Sequence, residues 1–282
     1  MPKSMSGTLI TVAPTGAEVE KSRVKALPTT PGEIANSARE CWQAGAAAVH
    51  VHARDHDDLP TLDVGRVKET LAAIREATDL IIQVSTGGAI SDSFEDRLGV
   101  LDTGPDTASL TCGTVNFGDA VFENPWPLMV DLYRQMRDRC IGVEFEIFDL
   151  GHIDGMKRLL DTEGYPYNGR VHADLVMGVP GGMAGTPLNL VLAVQQLPTE
   201  ATFSATGVGG TSVPVMLTAL ACGGHLRVGM EDTLTLPGGE KVTRNTQLVE
   251  RAAAFASLAG RPPLCIEEAR DLLSLPGPVT AR

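Results

Sequence analysis

Eight short aliphatic runs alternate with longer amphipathic stretches along this chain, and that rhythm limits the possible folds more than any other feature. The runs are Thr8–Ala13, Ala47–His52, Leu80–Val84, Thr107–Leu110, Gly142–Ile147, Arg170–Met177, Ala201–Ala205 and His225–Val228. A stretch with helical periodicity follows each. Such alternation predicts β–α units and a parallel sheet. Eight units within 282 residues match the size of one closed (β/α)₈ barrel, the TIM barrel of the α/β class. No low-complexity linker divides the chain, so residues 1–282 are expected to form a single domain with a helical extension at the C-terminal end. An open doubly wound sheet is the weaker alternative, because no GxGxxG follows the first run.

Two helices show the local logic. Thr30-Pro31-Gly32-Glu33 reads as a capping box with proline at the first helical position. Ile34, Ala38, Cys41 and Trp42 then share one face, and Gly45 ends the helix. Val64, Val67, Leu71 and Ile74 make a second such stripe. Aromatic residues are only 4% of the chain against 43% hydrophobic, so aliphatic side chains are expected to fill strands buried on both faces.

A net charge of −12 with no basic block argues against nucleic-acid or anionic-membrane partners. No apolar run reaches membrane-spanning length, and Met1–Gly7 lacks the apolar stretch of a signal peptide. Cys41, Cys112, Cys140, Cys222 and Cys265 are scattered without CxxC spacing, which reads as reduced thiols in a cytoplasmic protein.

Barrel chemistry sits at the C-terminal strand ends. The strongest signal there is Val49-His50-Val51-His52-Ala53-Arg54. Residues two apart on a strand point to one face, so His50 and His52 suit one metal ion; the plain alternative is a hydrogen-bonded pair of core histidines. Glu231, after the last run, is the best third ligand, and a His₂Glu set leaves a position open as catalytic Zn²⁺ requires. The same donors suit Mn²⁺, Co²⁺, Ni²⁺ or Fe²⁺. Glu231-Asp232 also reads as an acidic start to the last helix.

Glu18 follows the first run, and the first and eighth strands of a closed barrel are neighbours. Glu18, Arg227 and Asp232 are therefore expected to meet, as an acid–base cluster or a structural ion pair. Ser85-Thr86-Gly87-Gly88 precedes a helix expected to start near 91–93, offering backbone N–H groups, with Ser109, to a carboxylate. The loops at Gly178–Met183 and Gly207–Gly210 could take a phosphorylated cofactor or be plain turns. Glu144 and Glu146 alternate with apolar neighbours, so they either hold a cationic substrate group or pair with a protein cation.

Six segments together, TGAE (15–18), HVHAR (50–54), STGG (85–88), GTVNFG (113–118), GVPGGM (178–183) and HLRVGMED (225–232), resemble the β-keto acid cleavage enzymes, in order over residues 8 to 270 or so. The resemblance implies a (β/α)₈ barrel with Zn²⁺, assembled as a homotetramer. It implies condensation of a β-keto acid with acetyl-CoA, giving acetoacetate and a new acyl-CoA. By position it implies His50, His52 and Glu231 as metal ligands and Glu18, Arg227 and Asp232 as catalytic residues. Ser85, Gly88 and Ser109 would hold the acid; Glu146, read from strand alternation rather than from the resemblance, is expected at the far end of the substrate. Ser109 stands where the family has threonine, and Gly210-Thr211-Ser212 where bulky or basic residues are expected; both bear on the substrate more than on the reaction. A metal-dependent aldolase or hydrolase without CoA and a non-catalytic binder are the other readings.

Overall fold

The computed structural model describes residues 7–277; residues 1–6 and 278–282 of the expected single domain, and most of the Met1–Gly7 start, lie outside the described residues. Its strands are β1 (Ile10–Val12), β2 (Ala48–Val51), β3 (Ala53–Arg54), β4 (Pro60–Thr61), β5 (Ile81–Val84), β6 (Thr107–Thr111), β7 (Val115–Phe117), β8 (Ala120–Phe122), β9 (Gly142–Ile147), β10 (His172–Met177), β11 (Thr202–Gly207) and β12 (His225–Val228). Eight of them close a parallel barrel in the order β1-β12-β11-β10-β9-β6-β5-β2. Each falls on one of the eight aliphatic runs, so the expected TIM barrel is the observed fold. Two antiparallel hairpins, β3–β4 and β7–β8, were not expected from the sequence.

The helices are α1 (Pro31–Gln43), α2 (Val64–Ala77), α3 (Phe94–Gly99), α4 (Trp126–Asp138), α5 (Leu150–Glu163), α6 (Pro187–Gln196), α7 (Ser212–Ala221), α8 (Asn245–Leu258) and α9 (Ile266–Leu272). The Thr30 hydroxyl accepts from the Glu33 backbone N–H at 3.2 Å, and the Glu33 carboxylate accepts from Thr30 N–H, so the capping box is formed. Gly45 follows α1 with φ of +111°, a conformation that costs any other residue. Asp63 caps α2 through Arg66 N–H, and Val67, Leu71 and Ile74 bury its stripe. Among the described residues no helix is long and apolar enough to cross a membrane.

One expectation needs correction. The barrel strands are not aliphatic on both faces. Their helix-facing residues are: Phe145 of β9 packs on Tyr133 of α4 at 6.1 Å between ring centres, and Ile10, Ala173, Ala205 and Leu226 are fully buried. Their inward residues are polar. Thr206 donates to Asp174 at 2.7 Å, Thr111 donates to Glu146 at 2.9 Å, and His172 bonds Thr202 and Ser204. A barrel this small normally fills its centre with branched aliphatic layers. Here neighbouring strands bond many of one another's polar groups instead, which offsets part of the desolvation penalty, while Glu144 Oε1 and Asp174 Oδ1 are left buried without a hydrogen-bond partner.

Candidate active site

A cavity of about 200 Å³ opens at the C-terminal mouth of the barrel. Thr15, Glu18, His50, His52, Ser85, Gly88, Glu146, Arg227, Glu231 and Asp232 line its polar side, so most of the residues singled out by sequence meet at one place.

Strand β2 delivers His50 to its inner face, and His52 follows two residues on. Their Nε2 atoms are 3.3 Å apart, and Glu231 Oε1 lies 3.8 Å from His50 Nε2 and 3.5 Å from His52 Nε2. Edges of a tetrahedron with metal–ligand bonds of about 2.0–2.1 Å measure about 3.4 Å, so the donors fit one small divalent ion. His50 Nδ1 meets Gln83 Oε1 at 2.5 Å, which places the ring proton there and leaves the Nε2 lone pair facing the triad. Burial, then Arg227, push His50 down to about 3, so the ring is neutral and able to ligate. Glu231 Oε2 is buried with no hydrogen-bond partner. Burial alone would raise the Glu231 carboxyl, but Arg227 holds it well below the usual range. A neutral His50 ring beside His52, an ionised carboxylate and an orphaned buried oxygen fit a metal site better than a core histidine pair. The helix-start reading of Glu231-Asp232 fails too, because α8 begins only at Asn245.

Arg227 of β12 is the hub of the polar side. It bonds Glu231, Asp232 at 3.2 Å and Glu146 at 3.3 Å, and lies 3.8 Å from Asp174. Burial raises Asp232 to about 7 and Asp174 to about 6, with Arg227 opposing in both. Glu146 thus pairs with a protein cation, which corrects the expectation that it waits for a cationic substrate group. Glu144 sits a layer deeper, 3.6 Å from His172 and outside the cavity lining. That approach joins two neutral groups rather than an ion pair. Burial, then Asp174, push Glu144 up to about 8, and burial pushes His172 down to about 3.

This gives a prediction for stability. An unfolded chain releases the Glu144 proton near 4.5, whereas the folded one holds it to about 8. Folded protein therefore binds more protons in that window, and stability falls as pH rises through it. Glu144→Gln is expected to raise Tm more at pH 8 than at pH 5, by an amount equivalent to about 1 kcal/mol or more. Equal shifts at both pH values in thermal melts would show that Glu144 ionises normally.

Other expected residues are placed differently. Glu18 lines the cavity but is exposed and makes no ion pair with Arg227 among the described residues. Its loop is held by Arg54, whose guanidinium donates to the carbonyls of Gly16 at 2.7 Å and Val19 at 2.8 Å. Ser85 and Gly88 line the cavity, and Ser85 Oγ accepts from Gly87 N–H. Ser109 does not line it. Its carbonyl and hydroxyl both bond Thr86, so it supports the loop from behind. The helix after this loop, α3, begins at Phe94, and the Asp92 carboxylate closes the intervening turn on Ala89 N–H.

The glycine loop at Gly178–Met183 is tightly packed, whereas Gly209 and Gly210 of the next loop stand in open space. A Cβ on Gly181 would lie 2.3 Å from the Asn116 carbonyl oxygen, so glycine is needed where this loop touches the β7–β8 hairpin. Gly210, Thr211 and Ser212 do not line the cavity; Val208 does.

Sequence reading missed Gln83 and Asp174, although each is an inward polar residue inside an aliphatic run. It also missed Phe117, Phe122 and Phe148, which line the opposite side of the cavity. Those rings carry no periodic signal, because two of them belong to the unexpected hairpin.

A closed (β/α)₈ barrel with a histidine–carboxylate triad and a buried arginine–carboxylate cluster at its mouth is built as an enzyme for a small acid. The chain belongs to the β-keto acid cleavage enzyme family, which it matches over residues 8–275, and so it is an enzyme that cleaves carbon–carbon bonds. It is 37% identical to the 3-keto-5-aminohexanoate cleavage enzyme of Acetoanaerobium sticklandii over 96% of this chain and 99% of that one. It is 35% identical to the 3-oxoadipate:acetyl-CoA acetyltransferase of Cupriavidus necator over 95% of each. Its fold resembles the apo structure of ObcA, with a TM-score of 0.76, 20% identity, and coverage of 89% of this chain and 66% of that one.

Proposed function

We propose that this enzyme condenses a β-keto acid with acetyl-CoA and releases acetoacetate and a new acyl-CoA. The observation that carries the reading is the convergence of the His50–His52–Glu231 triad with Arg227 and Asp232 at one cavity. Ser85 and the backbone at Gly88 receive the substrate carboxylate. Asp232, held by two contacts from Arg227, removes a proton from C2 of the acid. That carbon forms a bond to the acetyl carbonyl, and the CoA thiolate leaves. The thiolate then adds to the former keto carbon, the C2–C3 bond breaks, and the proton on Asp232 returns to C2. Acetoacetate carries away the acetyl group and the original carboxylate; the remaining acyl group leaves on CoA. His50, His52 and Glu231 would hold a divalent ion, which we read as Zn²⁺, and when bound it supplies Lewis-acid stabilisation of charge on the keto oxygen.

Acetoacetate formation from β-keto acids tests the reading, and it must depend on acetyl-CoA. Cleavage that proceeds without acetyl-CoA would make the enzyme an aldolase or hydrolase. The assembly we propose is a cytoplasmic homotetramer. Exposed Leu188, Leu192, Leu217 and Leu258 on the outer helices support self-association, and the absence of disulfides among the described residues supports a reducing compartment.

Gln83 should set the affinity of the triad by fixing the His50 tautomer. Gln83→Met, which keeps the volume but loses the acceptor, is expected to weaken divalent-ion binding by about 10–100-fold. Competition titration against a chelator measures this, and unchanged affinity would remove Gln83 from the role.

A further inference from the structure

The cavity has two unlike sides. Opposite the triad stand Phe117 and Phe122 of the β7–β8 hairpin and Phe148 beyond β9, backed by Val176, Val179 and Val208. Three of the chain's seven phenylalanines therefore gather at one small opening. Phe117 meets Phe122 edge to face at 6.4 Å and Phe148 at 6.1 Å between ring centres. These residues form a hydrophobic cluster separate from the main core, and the buried Arg97 guanidinium, which does not line the cavity, lies 4.7 Å from the centre of the Phe122 ring.

We propose that the β-keto acid carries an apolar group rather than a second carboxylate at the end away from its own carboxylate, and that this aromatic wall selects it. The inference rests on the function proposed above and names the substrate class within it. Three observations carry it. First, Arg227 is the only arginine or lysine lining the cavity among the described residues, and carboxylates surround it. A substrate with a second carboxylate finds no free partner. Second, Glu146 is held by Arg227 and Thr111, Glu144 lies outside the lining, and the exposed Glu18 carboxylate on the cavity wall adds a negative charge that opposes a second carboxylate. A carboxylate pressed against the phenyl faces would lose its water and meet their negative side without gaining a counter-charge. Third, the wall is pinned in place. Gly118 N–H donates to the Pro180 carbonyl at 2.8 Å, and Met183 N–H donates to the Phe148 carbonyl at 2.7 Å. A preformed apolar surface binds an apolar group without first ordering itself.

The test is calorimetric titration of the zinc-loaded protein with 3-oxo acids of equal length ending in methyl or carboxylate. Omitting acetyl-CoA makes the result independent of the CoA step. The methyl-terminated acid should bind about tenfold or more tighter than the carboxylate-terminated one. Phe117→Ala, at a half-buried position, should erase most of that preference, and Phe117→Leu should keep it. Equal or tighter binding of the carboxylate-terminated acid overturns the proposal. So does a Phe117→Ala variant that weakens CoA binding while leaving acid binding unchanged, which would assign the wall to the thioester arm. Acetoacetate production from the same acids, assayed with acetyl-CoA, reports separately on the reaction, so either idea can fail alone.

Discussion

Metal analysis of His50→Ala and His52→Ala is expected to return folded barrels with little or no bound divalent ion. Each substitution removes one of three donors, and the remaining pair no longer surrounds the ion. Neither side chain contributes to the aliphatic layer between strands and helices, so the fold should survive. The two variants should differ in stability. Loss of His50 strands Gln83 Oε1 inside the barrel, at a cost of about 1–3 kcal/mol, whereas His52 has a side chain 9% exposed and no such partner. His50→Ala should therefore melt lower than His52→Ala. Full metal occupancy in both variants would show that the triad is not the site.

The second large effect is expected at Asp232. Asp232→Asn should keep its metal and its fold but lose turnover by about 10²-fold or more if Asp232 moves the C2 proton. An asparagine oxygen still accepts from Arg227, so the hub geometry is retained and only the basic oxygen is lost. Single-turnover rates measured beside metal content separate this from a binding defect. A rate near that of the parent enzyme would shift the proton transfer to Glu18, which reaches the same cavity from the β1 loop.

The barrel was legible because each strand carries an unbroken aliphatic face, and period-two patterns survive without tertiary information. His50, His52, Arg227, Glu231 and Asp232 were legible because strand ends converge in a closed barrel whatever the loops do. What could not be read depended on contacts between distant segments. The pairing of Glu146 with Arg227 spans β9 and β12, and no local pattern distinguishes it from a glutamate awaiting a ligand. Glu18 was expected beside Arg227 because β1 adjoins β12, but its loop is held by Arg54 and Glu18 lines the cavity without an ion pair to Arg227 among the described residues. The β7–β8 hairpin was hidden because its strands are three residues each and its stability comes from packing on the loop at Gly181.

The polar centre of the barrel divides each strand between two kinds of selection. Positions such as Phe145 and Leu226 face helices, and exchanging them disturbs packing shared by the whole molecule. Their neighbours Glu144, Glu146, Asp174 and Arg227 meet other inward polar groups such as Thr111, His172, Thr206 and Asp232, so a change there is felt inside the barrel. Compensating pairs can then arise on adjacent strands, one hydrogen bond at a time, without unfolding the chain on the way. A lineage built on this plan can drift in chemistry while its outer shell stays under constant purifying pressure, and the inward positions are where its descendants should diverge in what they bind.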